Sequence, residues 1–162
     1  MYKHNFHPSI LREYDIRGII NETLFEKDAF MIGYFFGLIC KEKNLNDETN
    51  IVISMDGRLS SPDLKKQMIF GLSKSGCNVI DLGLNPTPIL YFGSYNLNAD
   101  GAIQITGSHN PKNYNGFKMM IKNEPFFGKD IQNLGIKAKS GSNINMNGSI
   151  ESLDLDKKYL EK

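Results

Sequence analysis

"GAIQITGSHNPKNYNGFKMM", residues 101–120, decides how the chain is put together. GAIQIT, 101–106, reads as a buried strand, and GFKMMI, 116–121, as a second one. Between them lies a polar loop of small and turn-forming residues around Ser108-His109-Asn110-Pro111. Too few residues separate Thr106 from Gly116 for a crossover helix, which takes about a dozen, so 116–121 is expected to pair antiparallel in a long-looped hairpin.

Working outward, the remaining elements alternate. NIVISM, 50–55, is a β-branched run suited to a central strand. Asp56-Gly57 makes a turn, Ser61 is the expected N-cap and Pro62 the first position of a helix that Gly76 ends. CNVIDLG, 77–83, is the next strand, and NPTPILYFGSYNLN, 85–98, leads into a short helix. Strand and helix in turn imply an α/β fold: three αβα layers around a mixed, mostly parallel sheet of about four strands, the last one antiparallel.

On the N-terminal side, residues 9–20 read as an extended segment bending at Gly18, and Lys27–Asn44 as a helix buried on more than one side. The Gly33/Gly37 pair within it reads as close helix packing. A short helix is expected over Gly128–Ser140. The domain is expected to span residues 1–154, with 155–162 beginning a connector to a second domain.

With 162 residues and a formal charge of +1, the chain shows no global attraction for nucleic acid or an anionic membrane. Its most apolar window, Ala29–Cys40, falls short of the roughly 20 residues that span a bilayer. The N-terminus lacks a secretory h-region, and Cys40 and Cys77 have no metal or scaffold spacing, so a cytoplasmic location is expected. His4 and His7, in a terminus expected to fray, are set aside as a metal site.

The 106–115 loop should lie at the carboxyl end of its strand, where α/β sheets place their sites. Residues 101–123 hold no Asp or Glu but include Lys112, Lys118 and Lys122. With small residues at 107 and 108 freeing backbone N–H groups, an anion is the expected guest. The same composition also suits a plain polar hairpin. A Ser108–His109 hydrolase pair is set aside, because adjacent side chains seldom face each other and no nucleophile elbow surrounds the serine.

T-G-S-H-N-P (106–111) followed by Y-N-G-F-K (114–118) resembles the phosphoserine loop of the α-D-phosphohexomutase family, in its phosphomannomutase/phosphoglucomutase branch. E-Y-D-I-R-G (13–18), D-G-R-L-S-S-P (56–62) and N-P-T-P (85–88) agree in the same order. The resemblance implies an isomerase that interconverts hexose 1- and 6-phosphates through a phosphoserine at Ser108 and a bisphosphorylated sugar. It implies catalytic roles for Ser108, Lys118, His109 and Arg17, with proton transfer open between His109 and Lys118. Tyr14, Arg17, Asn110 and Lys118 would bind the mannose or glucose phosphate substrate. The implied metal is Mg²⁺, with the Ser108 phosphoryl oxygen as one ligand. Asp56 and Arg58 are read as a turn and an ion pair.

Two departures stand out. Ser54-Met55 replaces the Gly-Arg that the family usually carries before D-G-R. The resemblance also covers only the first of four domains, leaving out the acidic metal loop and the sugar- and phosphate-binding loops. The chain is therefore expected to be an incomplete, inactive fragment whose partners are the remaining domains. The alternative is a free-standing module that binds an anion or a partner chain without chemistry.

Overall fold

A computed structural model describes residues 1–161. Its strands are β1 (Ile16–Ile19), β2 (Asn50–Met55), β3 (Asn78–Leu84), β4 (Gly101–Ile105), β5 (Tyr114–Ile121), β6 (Glu124–Pro125) and β7 (Ile150–Ser152). The helices are α1 (Glu26–Lys43), α2 (Ser61–Lys74), α3 (Thr87–Asn96), α4 (Lys129–Ser140) and α5 (Asp156–Leu160). The sheet runs β1-β5-β4-β2-β3-β7, with β6 on β5. β2, β3, β4 and β7 are parallel neighbours, while β5 pairs antiparallel with β4, β1 and β6.

The hairpin deduced from loop length is present, with Ile105 opposite Phe117 and Gln104 opposite Lys118. Seven strands replace the expected four. The additions are three short strands: β1, half-buried within the segment read as extended, and β6 and β7, which are fully exposed along their length, so no apolar pattern marks those two in sequence. Consequently the last strand in the chain, β7, is parallel to β3 rather than antiparallel. The opening segment does not bend at Gly18, which lies inside β1 opposite Asn115.

Alternation sorts the sheet's two faces. Ile51, Ile53, Ile103, Ile105, Phe117 and Met119 point into the larger core beneath α1 and α2, which also takes in Ile131 and Leu134 of α4. On the opposite face Val52, Leu82 and Ala102 meet Leu90 of α3. Leu155, at the start of the expected connector, is buried in this second cluster. Arg17, opposite Gly116, and Lys118 lie on this same face, toward the β1 edge of the sheet.

The N-terminus is tied down rather than frayed. Tyr2 exchanges backbone hydrogen bonds with Ser142 at 2.7 and 2.8 Å, and the His4 ring lies 2.6 Å from the Asp28 carboxylate. At the head of α2 the N-cap is Ser60, not Ser61, and its side chain makes no capping bond. The Ser61 hydroxyl instead donates to Asp56 at 2.7 Å.

Candidate functional site

β2, β3 and β4 end at the same edge of the sheet, and β5 begins there. That edge gathers Asp56–Arg58, Asn85 and the 106–113 loop by topology alone. Ser54 and Gln104, neighbours in register, are both buried, and the Ser54 hydroxyl donates to Gln104 Oε1. Gln104 Nε2 in turn donates to the Asn85 carbonyl at 3.0 Å. This chain of bonds ties the three strand ends together, with Ser54 at one of the two positions that depart from the family pattern.

Asp56 and Arg58 build the floor of the loop. Asp56 Oδ1 accepts from the Ser61 hydroxyl and from Arg58 N–H at 2.7 and 3.1 Å. Its Oδ2 accepts from Gly107 N–H at 3.2 Å and lies 3.3 Å from Arg58 Nε. Burial pushes the Asp56 carboxyl up. The donors from Ser61, Arg58, Thr106 and Gly107 outweigh it and hold the group below its ordinary value. Arg58 Nη1 donates to the carbonyls of Pro111 and Tyr114 at 2.7 and 3.1 Å, and Nη2 to those of Ser108 and Asn110 at 3.0 and 2.8 Å. The expected turn and ion pair are there, but four loop carbonyls converge on the same guanidinium.

Ser108 sits in this cradle at φ +54°, a left-handed conformation that costs a non-glycine residue roughly 1–2 kcal/mol. Its N–H donates to Thr106 Oγ1 at 2.9 Å. The hydroxyl makes no hydrogen bond to any described residue and lines an open cleft of about 560 Å³ with Asn110, Lys112, Leu59 and Asp56–Arg58. His109 is exposed at the loop tip.

Three expectations need correction. The N–H groups of Gly107, Ser108 and Asn110 are not free for a ligand: Asp56, Thr106 and the Gly107 carbonyl take them. The loop is also not free of acid, because folding brings Asp56 against it from fifty residues upstream. Lys122 belongs to the opposite end of the hairpin, bonded through its N–H to the Asp100 carbonyl, roughly 25 Å of strand away.

Arg17 and Lys118 are diagonal neighbours on one sheet face, a relation that sets residues about 7–8 Å apart. They do not line the Ser108 cleft, nor do Tyr14 and His109. Arg17 is paired with Asp15, while its Nε is buried with no hydrogen-bond partner among the described residues. Lys118 is half-buried, and its ammonium makes no ion pair or hydrogen bond to any described residue. Tyr14 is exposed before β1, stacked against Phe127 at 6.4 Å. Asp56 and Arg58 read in sequence as a turn and an ion pair. Their grip on the loop had no sequence signal, since its acceptors are backbone carbonyls fifty residues on.

The described residues thus form a layered α/β/α domain that presents a serine-centred loop at the carboxyl ends of its parallel strands. The family model described as "Phosphoglucomutase/phosphomannomutase, alpha/beta/alpha domain I" matches residues 8–143. The chain belongs to that family and corresponds to its domain I. It is 40% identical over 154 residues to a phosphomannomutase/phosphoglucomutase of Pseudomonas syringae pv. tomato, covering 95% of this chain and 32% of that protein. A phosphoglucomutase of Neisseria meningitidis serogroup B is also 40% identical, with 94% of this chain and 33% of that protein covered. A crystal structure of a phosphoglucomutase/phosphomannomutase family protein from Burkholderia thailandensis superposes with a TM-score of 0.89 at 35% identity, covering 96% of this chain and 35% of that one. The chain spans about a third of the length of the curated relatives it matches.

Proposed function

We propose that this domain carries the transferred phosphoryl group of a hexose-phosphate mutase, on Ser108 Oγ. The observation that carries the reading is the serine itself. Its hydroxyl has no partner among the described residues and the serine lines a cleft at the carboxyl edge, while its own N–H and carbonyl are already taken by Thr106 and Arg58.

In the forward half-reaction the P–Oγ bond of phosphoserine breaks as a sugar hydroxyl oxygen bonds to phosphorus, and the hydroxyl proton leaves to a base. The bisphosphorylated sugar then returns its other phosphoryl group to Ser108 Oγ, with a proton restored to the departing sugar oxygen. Such transfer needs positioning and charge neutralisation more than covalent help. Lys118, which no described carboxylate holds, can meet a phosphate without first breaking a pair, and on the same face Arg17, paired with Asp15, keeps an unpartnered Nε. Lys118 and His109 are both proposed for the proton, and Tyr14 and Asn110 for the sugar phosphate.

Mg²⁺ fits this chain's residues only in part. No group of three or more His, Cys, Asp or Glu side chains among the described residues could hold a metal. Both Asp56 oxygens are already engaged by donors. A phosphoserine would bring about −1.5 to −2 charge and oxygen ligands. Further carboxylates would have to come from elsewhere in a longer enzyme, and no step is assigned to the metal. A hexose phosphate of the mannose or glucose type is the proposed substrate, the remaining domains the proposed partners, and a reducing cytoplasm the proposed location. No helix among the described residues is long and apolar enough to cross a membrane.

The test is a fusion that puts this chain in place of the matching third of the Pseudomonas syringae relative. Incubation with labelled hexose bisphosphate should mark Ser108 in phosphopeptide maps, and Ser108→Ala should abolish both label and turnover. A Ser108→Ala fusion that keeps turnover, with label on another residue, removes Ser108 as the carrier.

A further inference from the structure

We propose that Arg58 is the positioning residue of the Ser108 loop, acting through the backbone to hold the serine in the conformation from which its hydroxyl reacts. This rests on the reading of Ser108 as the phosphoryl carrier.

Arginine has five N–H donors in a rigid planar fork. Here two go to the Pro111 and Tyr114 carbonyls, two to Ser108 and Asn110, and the fifth, on Nε, faces Asp56. The fork is saturated, so its contribution to the site is geometric. The loop's other bonds hold its two ends, with Gly107 N–H on Asp56, Ser108 N–H on Thr106, Asn110 on the Gly107 carbonyl, Tyr114 N–H on Pro111 and the Asn113 carbonyl on Ile20. Among the described residues, only Arg58 joins residues 108, 110, 111 and 114 to one point.

Four carbonyls drawn inward onto one cation leave the side chains between them facing outward. One of those carbonyls belongs to Ser108, so the unfavourable +54° φ is held by its own bond to Nη2. The fit is close enough that a Cβ on Gly107 would lie 2.2 Å from the Arg58 Cζ, which explains the small residue before the serine. Arg58 is 15% exposed and Asp56 25%, and the bonds to Tyr114, Ser108 and Asn110 are partly buried, which limits water's access to them. A lysine has three donors on a point charge and cannot span four carbonyls.

Amide hydrogen exchange on this chain tests the clamp without any activity. In Arg58→Lys and Arg58→Ala the amides of Gly107, Ser108, Asn110 and Tyr114 should exchange about tenfold faster or more, while those of Ile51 and Ile53 in β2 stay as in the parent chain. Methylguanidinium should slow the loop again in Arg58→Ala, and Arg58→Lys serves if the alanine variant does not fold. Unchanged loop exchange overturns the proposal, as does an equal rise throughout the chain, which would make Arg58 a general fold staple.

In the fusion described above, Arg58→Lys should lower kcat about tenfold or more with KM little changed, the signature of a misplaced reacting group. A loosened loop with undiminished kcat sinks the positioning role. Label on a residue other than Ser108 in the parent fusion sinks the carrier reading instead, and leaves the exchange result to judge the clamp.

Discussion

Asp56→Asn probes the floor of the loop with almost no change of shape. Its Oδ1 contacts, from Ser61 and Arg58 N–H, survive if the amide oxygen takes that place. The amide nitrogen then faces Gly107 N–H and Arg58 Nε–H, both donors, where the carboxylate had accepted at 3.2 Å and stood 3.3 Å from the cation. Hydrogen bonds to a charged group are worth about 1.5–3 kcal/mol each, and the length of these two places them at the low end, for a loss of about 3 kcal/mol. In a chain of this size that lowers Tm by roughly 6–12 °C. The loss should depend on pH. The Asp56 carboxyl is held below its ordinary value when folded, so its contribution is complete above the unfolded carboxylate range, near pH 4, and disappears as pH falls through the lower folded value. Melts of both chains from neutral to acid pH should therefore converge at the acid end. Equal Tm at neutral pH, or a gap that persists unchanged into acid, would refute the reasoning.

Two further outcomes concern the scaffold. Gly71→Ala places a Cβ 2.0 Å from the Phe30 carbonyl oxygen of α1, and backbone there cannot rotate away, so the helix-propensity gain of about 1 kcal/mol is outweighed and Tm should fall by several degrees. Gly57→Ala, with nothing within 4 Å, is the control and should leave Tm unchanged. Burial raises the thiols of both Cys40 and Cys77, so neither forms much thiolate in the folded chain. A thiol reagent at pH 8 should find both only in denaturant, and rapid reaction of either in the native chain would refute their burial.

How much of this was legible beforehand follows from the range of each interaction. Apolar runs announce β2 and β4, proline at the head of α2 and α3 marks their starts, and the short 106–116 interval forces an antiparallel return, because loop length limits where a chain can go. The same local logic places the serine at a carboxyl edge. Edge strands such as β7 stayed hidden because backbone pairing, not burial, holds them.

The site's internal wiring belongs to the tertiary structure. Nothing in D-G-R tells that Arg58 will gather carbonyls from residues 108–114, nor does T-G-S tell that Asp56 will occupy the N–H group of Gly107. Lys118 and Lys122 look equivalent by composition, yet the direction of β5 takes Lys122 to the far end of the sheet. A residue's type and near neighbours are written along the chain. Which donor meets which acceptor is decided only when segments fifty residues apart pack at the same edge.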